Sequence, residues 1–207
     1  NVLINITIYN KIIQMGCLFS LIPILIDANN NNINTKPDLS NYNINNTDEF
    51  SLNNLFIDVR VVSIYDGDTC TCILPLFNNF YKFNIRLADI DTCEIKSKSI
   101  ESKNLALNAR KRLCTLISSD FDNIDINISK KDLIIKLNQK CYIIKIKCGS
   151  FDKYGRLLGW LYDKNSLPDI TIDKSYNHIL IKEHLAYKYE GKTKLTETEQ
   201  VNILLKN

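Results

Sequence analysis

Between Phe56 and Ile90 three β-like runs follow one another with turn signals between them, and this restricts the chain to a sheet-based fold. Phe56–Ile64 is rich in β-branched residues and leads into Asp66-Gly67, a strong short-range hairpin signal. Asp68–Leu74 reads as the returning strand. Phe80–Ile90 reads as a third, with Phe83, Ile85 and Leu87 on one face. Strands linked in this way make an antiparallel meander.

The period then changes. From Ser99 to Ile117, Leu105, Ala109, Leu113 and Leu116 follow helical spacing. Residues 118–128 read as a polar loop, and Ser129-Lys130-Lys131-Asp132 has capping-box form for a short helix, with Asp in place of Glu. Cys141–Cys148 alternates as a fourth strand. Tyr154-Gly155 supplies a turn, and Arg156–Tyr162 is a fifth strand. Tyr176–Leu185 reads as a helix, and Thr196-Glu197-Thr198-Glu199 is a capping box that opens a last one. The expected class is α+β: a small, partly open, five-stranded OB-type Greek-key β-barrel with flanking helices. Barrels of this type commonly bind nucleic acid, although fold alone does not establish function.

Composition separates this region from what precedes it. Asparagine crowds Asn29–Asn54 without apolar periodicity, so residues 1–54 read as an N-terminal segment with a flexible linker, and 55–207 as the folded domain. Lys+Arg 26 against Asp+Glu 23 gives a formal charge of only +3, so phosphate contacts must come from local arrangement. No apolar stretch reaches the ~20 residues of a membrane-spanning helix. Seven cysteines without a Cys-x-x-Cys pair, and two distant histidines, argue against zinc and for buried thiols in a reducing compartment.

Three clusters carry possible chemistry. Asp66-Gly67-Asp68-Thr69 is a hairpin turn in which Asp68 is the less explained member. Arg86 through Glu94 packs a guanidinium and three carboxylates, Asp89, Asp91 and Glu94, into nine residues. The plain reading of that cluster is a solvated strand end with surface ion pairs. Alternation also puts Arg86 and Asp91 on opposite faces, so their convergence requires a bend or bulge between Leu87 and Asp91. The third cluster is Asp152-Lys153-Tyr154-Gly155-Arg156, which is also an ordinary turn. Taken together they supply two arginines suited to bidentate phosphate binding, two carboxylates suited to a hard cation, and Glu94 as a base or water-orienting group. Those are the parts of a metal-assisted phosphodiester hydrolase.

In their order and spacing these motifs resemble the staphylococcal (thermonuclease-like) nuclease family over roughly residues 55–190. The family reads Asp-Gly-Asp-Thr, then Arg-Leu with Asp-Thr-Pro-Glu, then Asp-Lys-Tyr-Gly-Arg. The resemblance implies calcium bound by Asp68, Asp91 and the backbone carbonyl of Thr92. It implies Glu94 activating or positioning the attacking water, and Arg86 and Arg156 holding the scissile phosphate. The implied reaction cleaves DNA and RNA and leaves 3′-phosphate ends. Three departures stand out. Cys93 replaces the family proline, which is expected to loosen the loop that holds Glu94. An insertion spans about 118–138. The family's nucleotide-stacking aromatics have Tyr187 and Tyr189 as candidates here, but Ala186-Tyr187-Lys188-Tyr189 aligns in more than one register, and packing on the barrel is an equal reading. A catalytically silent OB-type nucleic-acid-binding module is the alternative from another class, and a lipid-anchored adaptor with the barrel as platform is a third.

Near the N-terminus, Met15-Gly16-Cys17-Leu18-Phe19-Ser20 fits the myristoylation pattern, with Gly16 as acceptor and Cys17 as a palmitoylation site. Two acyl chains suffice for stable anchoring where one is marginal. The expected location is intracellular and membrane-anchored. A secretory leader fits less well, because no positive charge lies between Met15 and the apolar run that follows.

Overall fold

A computed structural model describes residues 38–206. The chain divides into two units, Asn1–Glu49 and Phe50–Asn207. In the first, the described residues 38–49 form asparagine-stitched turns: Tyr42 donates to the Leu39 carbonyl, and the Asn46 side chain donates to the Asn41 carbonyl. The second unit begins slightly earlier than the expected boundary at residue 55, because Leu52 already lies in the core.

The barrel strands are β1 (Phe56–Ile64), β2 (Thr69–Leu76), β3 (Asn79–Leu87), β5 (Ile143–Phe151) and β6 (Leu157–Tyr162). A short pair, β4 (Ile90–Asp91) with β7 (Tyr187–Lys188), stands beside them. The strand order is β1-β2-β3-β6-β5, and β5 pairs back with β1 from Phe56↔Lys147 to Arg60↔Ile143. The barrel is therefore closed rather than partly open. β3 and β6 run parallel, and the other barrel pairs are antiparallel.

Alternation builds the core. Val59 and Val61, Cys70 with Cys72 and Leu74, Ile85 with Leu87, and Ile144 with Ile146 point inward and are essentially inaccessible. A bulge between Val61 and Ser63 resets the parity of β1, so that Ile64 also points inward. The buried cysteines 70, 72, 93, 114 and 148 are free thiols, and Cys141 is exposed.

The helices are α1 (Ile100–Ile117), α2 (Lys130–Gln139), α3 (Tyr176–Lys182) and α4 (Glu197–Leu205). The Ser99 side chain caps α1 and Ser129 caps α2. Thr196 and Glu199 form the expected capping box of α4. Residues 118–138, expected as an insertion, pack into the core: Leu133 and Leu137 of α2 are fully buried, and the buried Arg110 guanidinium donates to the carbonyls of Ile126 and Ile128 at 3.3 and 2.7 Å. α3 stops at Lys182, short of the expected Leu185. Its exit passes through His184, whose φ is 55°, and that turn releases the chain into β7.

Candidate active site

The third strand does not run on to Ile90. It ends at Leu87, and Asp89 adopts a left-handed conformation with φ 62° before β4 begins. This is the bend that convergence of Arg86 and Asp91 requires. The buried side chain of Asn177 holds it: Nδ2 donates to the carbonyls of Ala88 (2.9 Å) and Gly159 (3.0 Å), and Oδ1 accepts from the Leu161 amide at 3.1 Å. The Tyr189 amide also donates to the Asp89 carbonyl at 2.9 Å. Asn177 escapes sequence reasoning, because an asparagine near a helix start reads as local.

Past the bend, Arg86 lies between two carboxylates. Nη1 pairs with Asp68 Oδ1, and Nη2 pairs with Asp91 Oδ1 at 2.5 Å and also donates to the Ile90 carbonyl at 3.2 Å. Arg86, Asp68 and Asp91 are 8%, 4% and 1% exposed, so this is a buried ion triad and not a solvated strand end with surface ion pairs. Asp68 Oδ2 accepts from the amide and hydroxyl of Thr92 at 2.8 and 2.9 Å. Asp91 Oδ2 accepts from the Tyr187 hydroxyl. Burial, reinforced by that bond, holds the Tyr187 phenol well above its usual range. Burial likewise pushes the neighbouring Asp66 carboxyl up to about 6.

Glu94 stands at the edge of this cluster, with its side chain 53% exposed. Lys194 bridges it to the interior, with Nζ 2.6 Å from Glu94 Oε1 and 3.2 Å from Asp91 Oδ1. Burial alone would lower Lys194, but its bonds to Glu94 and Asp91 outweigh that and hold it above the ordinary lysine value. Nothing local in the sequence marks Lys194, one lysine among many. Cys93 does not leave the loop unsupported. It is 1% exposed, and its side chain packs in a cluster with Ala106, Tyr187 and Leu204.

Gly67 has a packing role. It is not left-handed, as a tight hairpin turn would suggest; a Cβ placed on it would lie 2.5 Å from Ala109 Cβ and 3.0 Å from Thr92 Cγ2. The turn carrying Asp68 is thereby pressed against α1 and Thr92. Gly67→Ala is expected to destabilise the fold by ~1–3 kcal/mol through overpacking. A thermal melt with an unchanged midpoint would show that the contact yields freely.

Arg156 is separate from the triad but shares a cleft with Arg86. Parallel pairing of β3 with β6 sets Arg86 opposite Leu158, on the same outer face as Arg156 two residues away. Arg156 Nε donates to Asp152 Oδ2 at 2.7 Å, and its guanidinium lies 5.4 Å from the Tyr154 ring centre. The cleft has a volume of about 490 Å³ and is lined in part by Arg86, Arg156, Tyr154, Trp160 and Tyr189. Of the two expected stacking residues, Tyr189 lines this cleft. Tyr187 is 5% exposed and fastens Asp91, so it has no free face for a base.

The donor set suits a hard cation in type and charge. It offers only oxygen ligands, and four carboxylates (Asp66, Asp68, Asp91, Glu94) face two cations (Arg86, Lys194), a formal excess of two negative charges. Among the described residues no group of three or more His, Cys, Asp or Glu is clustered closely enough to hold a metal unaided. Because Arg86 occupies one oxygen of each of Asp68 and Asp91, binding through these two and the Thr92 carbonyl would require Arg86 to release at least one carboxylate. Gly16 and Cys17, and the acyl anchor expected there, lie outside the described residues. No family model and no curated protein matches the chain.

Proposed function

We propose that this chain is a calcium-dependent nuclease of the thermonuclease-like type, hydrolysing phosphodiester bonds of DNA, RNA or both and leaving 3′-phosphate ends. The observation that carries the reading is the convergence of Asp68 and Asp91 on Arg86, with Thr92 bonded to Asp68, Glu94 half exposed beside them and Arg156 on the same cleft as Arg86. In this reading Asp68, Asp91 and the Thr92 carbonyl hold calcium, which when bound supplies positive charge beside the phosphoryl group. Glu94 is the exposed carboxylate able to take a proton from water. Arg156 offers a planar fork to the phosphate and stabilises its developing charge. Arg86, once shifted from its carboxylates, supplies a second fork. Tyr187 and Asn177 are positioning residues that keep Asp91 and the β3–β4 bend in place.

One observation favours the second reading, a catalytically silent nucleic-acid-binding barrel. All four oxygens of Asp68 and Asp91 already accept bonds from Arg86, Thr92, Lys194 or Tyr187. Metal removal separates the two. Degradation of single-stranded DNA or RNA is expected in calcium, to disappear in chelator and to return on readdition. Binding without cleavage in any metal would establish the silent module.

A further inference from the structure

Three carboxylates line the 490 Å³ cleft; Asp152 is paired with Arg156 and Glu190 with Lys192, which leaves Asp89 as the one with no cation bonded to it among the described residues. Asp89 is exposed, yet held in one orientation: its carbonyl accepts from the Tyr189 amide, and its Oδ2 accepts from Trp160 Nε1 at 3.0 Å. No other bond to its carboxylate is seen among the described residues. The Asp89–Trp160 pair also borders a second cleft of about 300 Å³, on the side of His178 and Lys188. A fixed negative charge here opposes the binding of any polyanion unless it reads something other than phosphate. The surroundings suit a nucleotide: the half-buried aromatics Trp160 and Tyr189 and the two guanidinium groups of Arg86 and Arg156 line the same cleft as Asp89, and the volume is that of a small-ligand site.

Resting on the nuclease reading for its substrate, we infer that Asp89 is the base-reading residue of this cleft and that it selects guanine over thymine or uracil. Guanine presents two adjacent donors, N1–H and N2–H, to the two oxygens of a carboxylate. Each oxygen has two lone-pair sites, so Oδ2 can accept a second bond beside that from Trp160. Thymine and uracil present one imino donor flanked by two carbonyl acceptors, which a carboxylate repels. Cytosine and adenine, with a single amino donor, fall between.

The test needs no catalysis. Trp160 is the only tryptophan in the chain, so its fluorescence reports on this cleft. Guanosine and thymidine 3′,5′-bisphosphates are titrated into the full chain in calcium buffer, with equilibrium dialysis as a second readout. The guanosine compound is expected to bind about tenfold or more tightly, the range of a good bidentate contact to a base. Asp89→Asn keeps a residue type that tolerates a left-handed backbone and can still accept from Trp160, but turns one acceptor into a donor. It is expected to abolish the preference while leaving the melting temperature unchanged. Equal affinities in the parent protein, a preference that survives Asp89→Asn, or no binding of either nucleotide would each overturn the inference. A guanine preference in a protein that cleaves nothing would uphold base reading and remove the nuclease reading instead.

Discussion

Glu94→Gln is expected to lower the rate of phosphodiester cleavage by ~10²–10⁴-fold, the usual contribution of a positioned acid or base. The change preserves shape and removes basicity. It touches stability little, because the Glu94 side chain is half exposed and its one strong bond is to Lys194, which keeps Asp91 as a partner. Single-turnover cleavage of an end-labelled oligonucleotide measures the effect, alongside a thermal melt. A variant as active as its parent would remove Glu94 from the chemistry, and a variant that fails to fold would contradict its placement at the rim of the cluster.

Arg86→Met is expected to affect both properties. The guanidinium is shared by two buried carboxylates, and deleting it leaves Asp68 and Asp91 with no cation but Lys194, which reaches only Asp91, and otherwise the neutral donors Thr69, Thr92 and Tyr187. Removing one partner of a buried ion pair costs ~3–5 kcal/mol, because uncompensated charge remains behind. For a domain of this size that lowers the melting temperature by on the order of 10 °C. Cleavage should fall to background as well, since the phosphate loses one of its forks. A midpoint that does not move would show that Arg86 is not the neutralising partner of the triad.

Local patterns made most of the barrel legible. The β-branched run Phe56–Ile64, the alternation within Cys141–Cys148, and the caps at Ser129 and Thr196 are properties of a few adjacent residues, and the fold follows them. Barrel closure is not local, because β1 and β5 pair across more than 80 residues of chain, as at Arg60↔Ile143. The same divide runs through the site. Asp68, Arg86, Asp91 and Glu94 stand out in short motifs, and the bend between Leu87 and Asp91 could be demanded from parity alone. Its cause could not be read: Asp89 is neither glycine nor asparagine, and Asn177, which holds the bend, lies 89 positions from Ala88. Lys194 reaches Glu94 across 100 positions, and Tyr187 reaches Asp91 across 96. A phenol buried on a carboxylate and one lying open in a cleft look alike in Ala186-Tyr187-Lys188-Tyr189, so only the packing assigns Tyr187 to positioning and Tyr189 to the cleft wall.

The proposed chemistry is tested most directly by the ends it leaves. A 5′-labelled single-stranded oligonucleotide is incubated with the full chain in calcium, and its products are resolved before and after treatment with a 3′-phosphatase. Shortened products whose mobility shifts on phosphatase treatment are expected, because attack of water with loss of the 5′-oxygen leaves the phosphate on the 3′ side. Products ending in a 3′-hydroxyl, or an oligonucleotide left intact in calcium, would contradict the assignment of Glu94, Arg86 and Arg156 to this reaction.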